Sequence, residues 1–165
     1  MGGEPDPFQR LLDEHADFLD KLAELEATLD EMIETHEVSD AHRVLLDEAI
    51  RFFDDELLPH FRLEERTVIP ALEAKIGRYG NLVNIVGYEH EEIRRGVEKF
   101  KEARQDLDRS RDVWPAIQEL NRHGIFTVQF LWDHFRKERT GLFPAALREL
   151  STAELAGIRE SLRLG

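Results

Sequence analysis

Two copies of a His-x-x-x-Glu pair, His60 with Glu64 and His134 with Glu138, are the strongest chemical signal in this sequence. Residues four positions apart on an α-helix lie on one face, about one turn apart. Apolar side chains flank both pairs at helical spacing, so each pair is expected to face a protein core. Polar groups in a core are costly unless they are hydrogen-bonded, paired or metal-bound. Both pairs are therefore candidates for a buried metal site.

The two pairs belong to an internal repeat. Each pair is followed by Pro-Ala, with the proline 10 residues after the histidine. Each is also preceded by a Glu-His dipeptide, whose histidines are His15 and His90, 45 and 44 residues upstream of the paired histidine. The chain therefore consists of two copies of one helical hairpin. Each copy contributes a histidine and then a His-x-x-x-Glu pair.

Four segments with helical apolar spacing are predicted to position these residues, and turn chemistry separates them. A capping box, Ser151-Thr-Ala-Glu154, predicts a short fifth helix. Pro59 and Pro70 are expected to kink the second segment or loosen its hydrogen bonds. The predicted segments are 7–35, 40–76, 81–107 and 113–147, with breaks at 36–40, at 77–80 and near 112–115.

No stretch of useful length has strand periodicity, so the predicted class is all-α. The arrangement is predicted to be an up-down-up-down four-helix bundle with a short C-terminal helix at 152–163. A single domain is expected over 1–165, with the bundle at about 7–148, because this length supports one hydrophobic core.

The helix breaks place the polar residues at one height in such a bundle. Two residues on successive helices are level when the turn lies midway between them in sequence. The positions compared are His15, the centre of the first pair at 62, His90 and the centre of the second pair at 136. The midpoints between successive positions fall near 38.5, 76 and 113, and each coincides with a predicted break. The predicted metal ligands, drawn from all four helices, are His15, His60, Glu64, His90, His134 and Glu138.

Imidazole and carboxylate suit iron, manganese or zinc, and two carboxylates can bridge two ions. A polar layer that sets the register of the bundle is the alternative without metal, but it does not explain the repeated pairs. Glu65 follows Glu64 and could assist the site, but it points about 100° away around the helix, so we expect it to face solvent. The apolar cage around the site is predicted to include Phe53, Leu57, Phe130 and Leu131.

The order His, His-x-x-x-Glu, His, His-x-x-x-Glu, with Pro-Ala closing each half, resembles the hemerythrin HHE cation-binding family over about residues 8–148. The resemblance implies an oxo- or hydroxo-bridged pair of iron ions, with Glu64 and Glu138 bridging and the four histidines as terminal ligands. Oxygen-carrying hemerythrins have a further histidine where this chain has Arg94. The set of four histidines and two glutamates is more similar to the di-iron domains of iron–sulfur-centre repair proteins, and it implies an open coordination position.

Composition limits the partners and the compartment. The net charge of −13 disfavours nucleic acid and anionic membranes as partners. The absence of cysteine excludes disulfides and thiolate ligands. No apolar run approaches the roughly 20 residues of a membrane span, and the N-terminal residues do not resemble a signal peptide. A cytoplasmic location is expected.

The leading functional hypothesis is a non-haem di-iron protein that binds or reduces a small oxidant such as O2, peroxide or nitric oxide. The alternative is a non-enzymatic iron or oxygen sensor that signals through metal-dependent stability or partner binding. Zinc and manganese accept the same ligands as iron. The sequence leaves open whether the protein is an enzyme, and it identifies no protein partner.

Overall fold

The computed structural model describes residues 6–79 and 81–165, so residues 1–5 and Gly80, in the predicted break at 77–80, lie outside the description. Helices and their connections make up the described residues, which contain no strand. Two short π-helical segments interrupt the α-helices: π1 at Phe53–Leu57 and π2 at Glu138–Leu142. The α-helices are α1 Gln9–Thr35, α2 Asp40–Phe52, α3 Leu58–Arg66, α4 Val68–Ile76, α5 Leu82–Arg109, α6 Trp114–Lys137, α7 Phe143–Glu149 and α8 Thr152–Leu164.

The all-α bundle is confirmed. The second predicted segment corresponds to α2, π1, α3 and α4 in succession, and the fourth to α6, π2 and α7. Helix α6 packs against α1 and α5, α1 packs against α2, and α5 contacts α2, α3 and α4. The alternation of helix direction stays a prediction.

Prolines explain the interruptions. A proline has no N–H to donate to the carbonyl four residues earlier, so the α-helical pattern is disturbed there. Just before Pro59, the N–H of Leu58 donates to the carbonyl of Phe53, five residues back. Before Pro144, the N–H of Phe143 donates to the carbonyl of Glu138 in the same way. The irregularity expected at Pro59 is therefore present, and an equivalent one occurs at Pro144, where the sequence predicted a continuous helix.

Pro70 has a different effect. The chain leaves the helical conformation at Thr67, with φ −120° and ψ −80°, between α3 and α4. The hydroxyl of Thr67 donates to the carbonyl of Leu63 at 2.6 Å, which satisfies one acceptor at the end of α3. The irregularity expected at Pro70 is therefore present, and it follows Glu64 by about one turn.

The predicted capping box begins α8. The backbone N–H of Glu154 donates to the Ser151 hydroxyl at 3.1 Å, and the backbone N–H of Ser151 donates to the Glu154 carboxylate at 3.0 Å. This reciprocal pair satisfies two donors that the first turn of a helix leaves free. The helix then extends to Leu164, and its buried Ile158 and Leu162 pack on the bundle.

The core consists of two apolar clusters with the polar residues between them. On α1, Leu11 belongs to one cluster and Phe18 to the other, with His15 between them. On α5, Val86 and Ile93 flank the second Glu-His dipeptide in the same way. The predicted site therefore occupies a layer across the interior, between two regions of close-packed side chains.

Two glycines provide a test of this packing. A Cβ atom on Gly124 in α6 would lie 2.5 Å from Leu29 Cδ1 and 3.2 Å from Phe100 Cε2, in the buried core. Gly124→Val should therefore lower the free energy of unfolding by about 1–3 kcal/mol through overpacking. A Cβ on Gly157 in α8 meets nothing within 4 Å, so Gly157→Ala should raise it by about 0.5–1 kcal/mol. Urea unfolding measures both, and an unchanged midpoint for Gly124→Val would contradict the close approach of α1, α5 and α6.

Candidate metal centre

The structure brings all six predicted ligands together in the interior. His15 and His60 retain 5% and 3% of their accessible surface. The other four residues are fully buried, at 0% exposure: Glu64, His90, His134 and Glu138. The side chains come from α1, α3, α5, α6 and the first residue of π2. The proposed ligands of both repeats therefore share one buried layer.

Donor atoms in this layer form two overlapping groups. Atoms of His15, His60, Glu64 and Glu138 all lie within 4.8 Å of one another. A second group consists of His90, His134 and Glu138, within the same limit. Glu138 belongs to both groups, which is the arrangement expected of a carboxylate between two cations.

Glu64 also faces both groups. Its Oε1 contacts His60 Nε2, and its Oε2 lies 3.9 Å from His90 Nε2. Glu138 Oε1 lies 3.6 Å from His15 Nε2 and 2.9 Å from His134 Nε2. Each carboxylate is therefore close to a histidine of each repeat.

Several of these atoms lack a hydrogen-bond partner among the described residues. They are both carboxylate oxygens of Glu64 and of Glu138, Nε2 of His90, and both ring nitrogens of His134. The approach of His134 Nε2 to Glu138 Oε1, at 2.9 Å, has the distance of a hydrogen bond but not its geometry. Each unsatisfied buried polar group costs about 1–3 kcal/mol. Coordination to cations would satisfy these atoms, and their chemistry fits divalent transition metals held by nitrogen and oxygen.

Carboxylates outside the layer orient the imidazoles. Glu14 Oε2 lies 2.7 Å from His60 Nδ1, and Glu65 Oε2 lies 2.9 Å from His90 Nδ1. A hydrogen bond at Nδ1 directs Nε2 toward the centre and selects the tautomer that can bind metal. The side chain of Glu65 is 31% exposed, so it is partly solvated as expected, and it also assists the site by holding His90. The position of Glu65 on its own helix gives no sign of this contact, because His90 lies on a neighbouring helix.

A third carboxylate also faces the Nδ1 atom of an imidazole, but at a greater distance. Glu89 Oε2 lies 3.9 Å from His134 Nδ1, and both oxygens of Glu89 accept from Lys137 Nζ, at 2.9 and 3.1 Å. No orienting role was predicted from the sequence for Glu14, Glu65 or Glu89. The Glu-His dipeptides were the available signal for Glu14 and Glu89. Each of these glutamates, however, faces a histidine on another helix, and not the histidine that follows it in sequence.

Arg94 occupies the place of the further histidine of oxygen carriers and does not approach the ligands. Its Nη2 donates to Glu65 Oε1 at 2.7 Å, and its Nη1 donates to Glu91 at 2.6 Å. Arg94 therefore contacts the carboxylate that orients His90. This contact connects the buried layer to charged groups at the surface.

Charges across the layer change the protonation of its imidazoles. Burial by itself would lower the pKa of His60, but the carboxylate of Glu64 and the hydrogen bond to Glu14 raise it to about 10. For His134, burial is likewise outweighed by Glu138, and the pKa rises to about 10. Without metal, protons on these imidazoles offset the negative charge of the layer. Bound cations would take their place.

The carboxyl groups shift for related reasons. Burial raises the pKa of Glu138, and the neighbouring charge of Glu64 raises it further. Burial also opposes ionisation of Glu65, but hydrogen bonds from His90 and Arg94 lower its pKa to about 2. The carboxylate that holds His90 is therefore charged across the physiological range.

Aromatic rings form the walls of the layer. Phe61 stacks on His90 at 4.0 Å between ring centroids, and Phe135 stacks on His15 at 4.2 Å. Phe18 meets His60 edge-on at 5.2 Å. Of the predicted cage residues, Phe53, Leu57 and Leu131 are buried in the core, whereas Phe130 is only partly buried. The rings that contact the imidazoles immediately follow or lie close to the ligands in sequence, and the prediction missed them.

Metal binding should stabilise the chain. Zn²⁺ is a redox-inert probe, and at 100 times its dissociation constant it should raise the free energy of unfolding by about 2.7 kcal/mol, provided that it binds only the folded state. Thermal unfolding with and without zinc measures the effect. In a Glu64→Ala/Glu138→Ala variant, zinc should leave the melting temperature unchanged, because the shared ligands are gone. An equal shift in that variant would place the zinc elsewhere.

Comparison with known proteins agrees with this geometry. The family model described as the hemerythrin HHE cation-binding domain matches residues 6–146. No curated protein sequence gave a significant match. Within the described residues, no helix is long and apolar enough to cross a membrane. The match covers most of the chain and includes the whole buried His/Glu layer, and together they indicate metal binding. The chain belongs to the hemerythrin HHE cation-binding domain family.

Proposed function

We propose that this chain is a non-haem di-iron protein that binds or reduces a small oxidant, such as O2, peroxide or nitric oxide. The observation that carries the proposal is the pair of buried donor groups that share Glu138. The proposed ligands are the six residues of the layer, with Glu64 and Glu138 bridging two iron ions. We further propose a cytoplasmic location and a small diffusible ligand as the partner.

The number of protein donors supports an open coordination position. Each ion would be held by two imidazoles, His15 with His60 or His90 with His134, and by carboxylate oxygens of Glu64 and Glu138. Two histidines and a carboxylate with open positions are typical of non-haem iron that reacts with oxygen. Arg94 cannot act as a further ligand, because its guanidinium stays protonated. It is also engaged with Glu65 and Glu91.

The surroundings of the layer favour a small ligand. The imidazoles are enclosed by Phe18, Phe61 and Phe135, and the ligands retain at most 5% of their accessible surface. Such an enclosure excludes bulk water and large substrates. When bound, iron would supply the redox chemistry, while the chain supplies ligands, orientation and an apolar environment.

Metal content is the first test. Protein expressed without an affinity tag in iron-supplemented cells should contain close to two irons per chain by plasma mass spectrometry. A charge-transfer band in the near ultraviolet should accompany the iron. Stoichiometric manganese would keep the site but contradict the proposal of iron, and stoichiometric zinc would also remove the redox chemistry. A chain without metal that keeps its full helical stability after chelation would contradict the metal site itself.

Ligand size is the second test. The reduced, iron-loaded chain should react with O2, hydrogen peroxide or nitric oxide in stopped-flow absorption measurements, and much more slowly with cumene hydroperoxide, because the aromatic walls exclude a bulky group. Equal rates with both peroxides would contradict an enclosed site. Repeated turnover would indicate an enzyme. A change in stability or association without turnover would indicate the sensor that the sequence left as an alternative.

A further inference from the structure

The internal repeat allows the supports of the four histidines to be compared. His15 corresponds to His90 with an offset of 75 residues, and His60 corresponds to His134 with an offset of 74. Glu14, which lies 2.7 Å from His60 Nδ1, corresponds in the same way to Glu89, which lies 3.9 Å from His134 Nδ1. The placement of these two glutamates follows the repeat, but only Glu14 is hydrogen-bonded to its histidine, because His134 Nδ1 has no hydrogen-bond partner among the described residues.

The contact between Glu65 and His90 does not follow the repeat. Glu65 holds His90 Nδ1 at 2.9 Å, and the residue that corresponds to Glu65 is Arg139, which is exposed. Over residues 6–79 and 81–165, no carboxylate is hydrogen-bonded to Nδ1 of His15. The carboxylates near this ring approach its Nε2 instead: Glu138 at 3.6 Å and Glu64 at 3.9 Å. His15 is therefore a proposed ligand whose outer nitrogen has no carboxylate support.

Other contacts hold His15 in place. Its ring stacks on Phe135 at 4.2 Å, and its Nε2 is hydrogen-bonded to His60 Nε2 at 3.0 Å. An ion bound by both histidines must break that hydrogen bond. Nε2 of His90 and Nε2 of His134 have no such hydrogen bond to break, so this cost applies only to the position of His15 and His60.

The same position is the more accessible one. His15 and His60 retain 5% and 3% of their accessible surface, whereas His90 and His134 retain none. Glu14 and His60 also line a surface cavity of about 560 Å³. Further acidic side chains line this cavity, and they would attract cations: Asp13, Asp17, Asp55 and Glu56.

We infer that the two metal positions are unequal: the ion bound by His90 and His134 is retained, and the ion bound by His15 and His60 exchanges. This inference rests on the proposed function and adds an order of binding to it. Glu64 and Glu138 offer oxygens to both positions, so the bridging carboxylates do not distinguish them. Each position also has one hydrogen-bonded imidazole, His60 through Glu14 and His90 through Glu65. The distinction lies in the greater exposure of His15 and His60 and in the hydrogen bond between them. Loss of an outer hydrogen bond at Nδ1 commonly weakens metal binding by about 10- to 100-fold.

Iron release tests the inference directly. The chain loaded with two Fe²⁺ ions is mixed anaerobically with a chromophoric ferrous chelator, and release is followed by absorbance. Two phases of equal amplitude are expected, each of one ion per chain, with well-separated rates. A single phase that releases both ions together would overturn the inference.

Variants assign each phase to a position. Glu65→Gln should accelerate the slow phase by about 10- to 100-fold and leave the fast phase unchanged, whereas His15→Ala should remove the fast phase and keep one slowly released ion. Glu102→Gln, the same change at a side chain with 64% exposure on α5, is the control and should alter neither phase. A general loss of stability would accelerate both phases, so selective acceleration separates positioning from folding. Acceleration of only the fast phase by Glu65→Gln would reverse the assignment and overturn the inference.

Failure of the proposed function gives a different result. A chain that never holds more than one ion would contradict the di-iron proposal. The inference would still be supported if that ion is lost in His90→Ala and kept in His15→Ala, and the opposite pattern would overturn it. A chain that binds no iron would contradict both.

Discussion

Two glutamate side chains buried together in the core are the constraint on which the rest of the structure depends. Glu64 and Glu138 are fully buried, and all four of their oxygens lack hydrogen-bond partners among the described residues. Burying unpaired carboxylates opposes folding strongly. Protonated imidazoles offset part of that cost without metal, and two cations would offset more. The polar layer therefore lowers the stability of the bundle while it makes metal binding possible. The apolar clusters on both sides must compensate for this loss of stability.

The backbone is adapted to this layer. π1 ends three residues before His60, and π2 begins at Glu138 itself. Such π-helical segments change the direction of neighbouring side chains relative to a regular helix, and they are common at functional sites. Each is followed by a proline that makes the regular hydrogen-bond pattern unavailable. Pro59 and Pro144 are therefore part of how the layer is shaped, together with the break that precedes Pro70.

Outside the layer, charge pairs extend from the ligands to the surface. Arg94 holds Glu65, which holds His90, and Lys137 holds Glu89, which faces His134. These chains of alternating charge orient the imidazoles without adding ligands. They also make the two repeats unequal, because the support from Glu65 has no equivalent at Arg139. A site that the sequence presents as two matching halves is thus asymmetric in its surroundings.

The sequence by itself determined the helical class, the C-terminal capping box and the six residues that meet in the core. These follow from helical periodicity, local capping chemistry and the spacing of His15 to His90 and of the two pairs, all of which act along the chain. Only the tertiary structure decided that Glu14, Glu65 and Glu89 face imidazoles on other helices, and that Phe61 and Phe135 form the walls. These contacts depend on how far each helix is rotated about its axis against its neighbours. Packing of the whole core sets that rotation, and sequence spacing along one helix does not contain it.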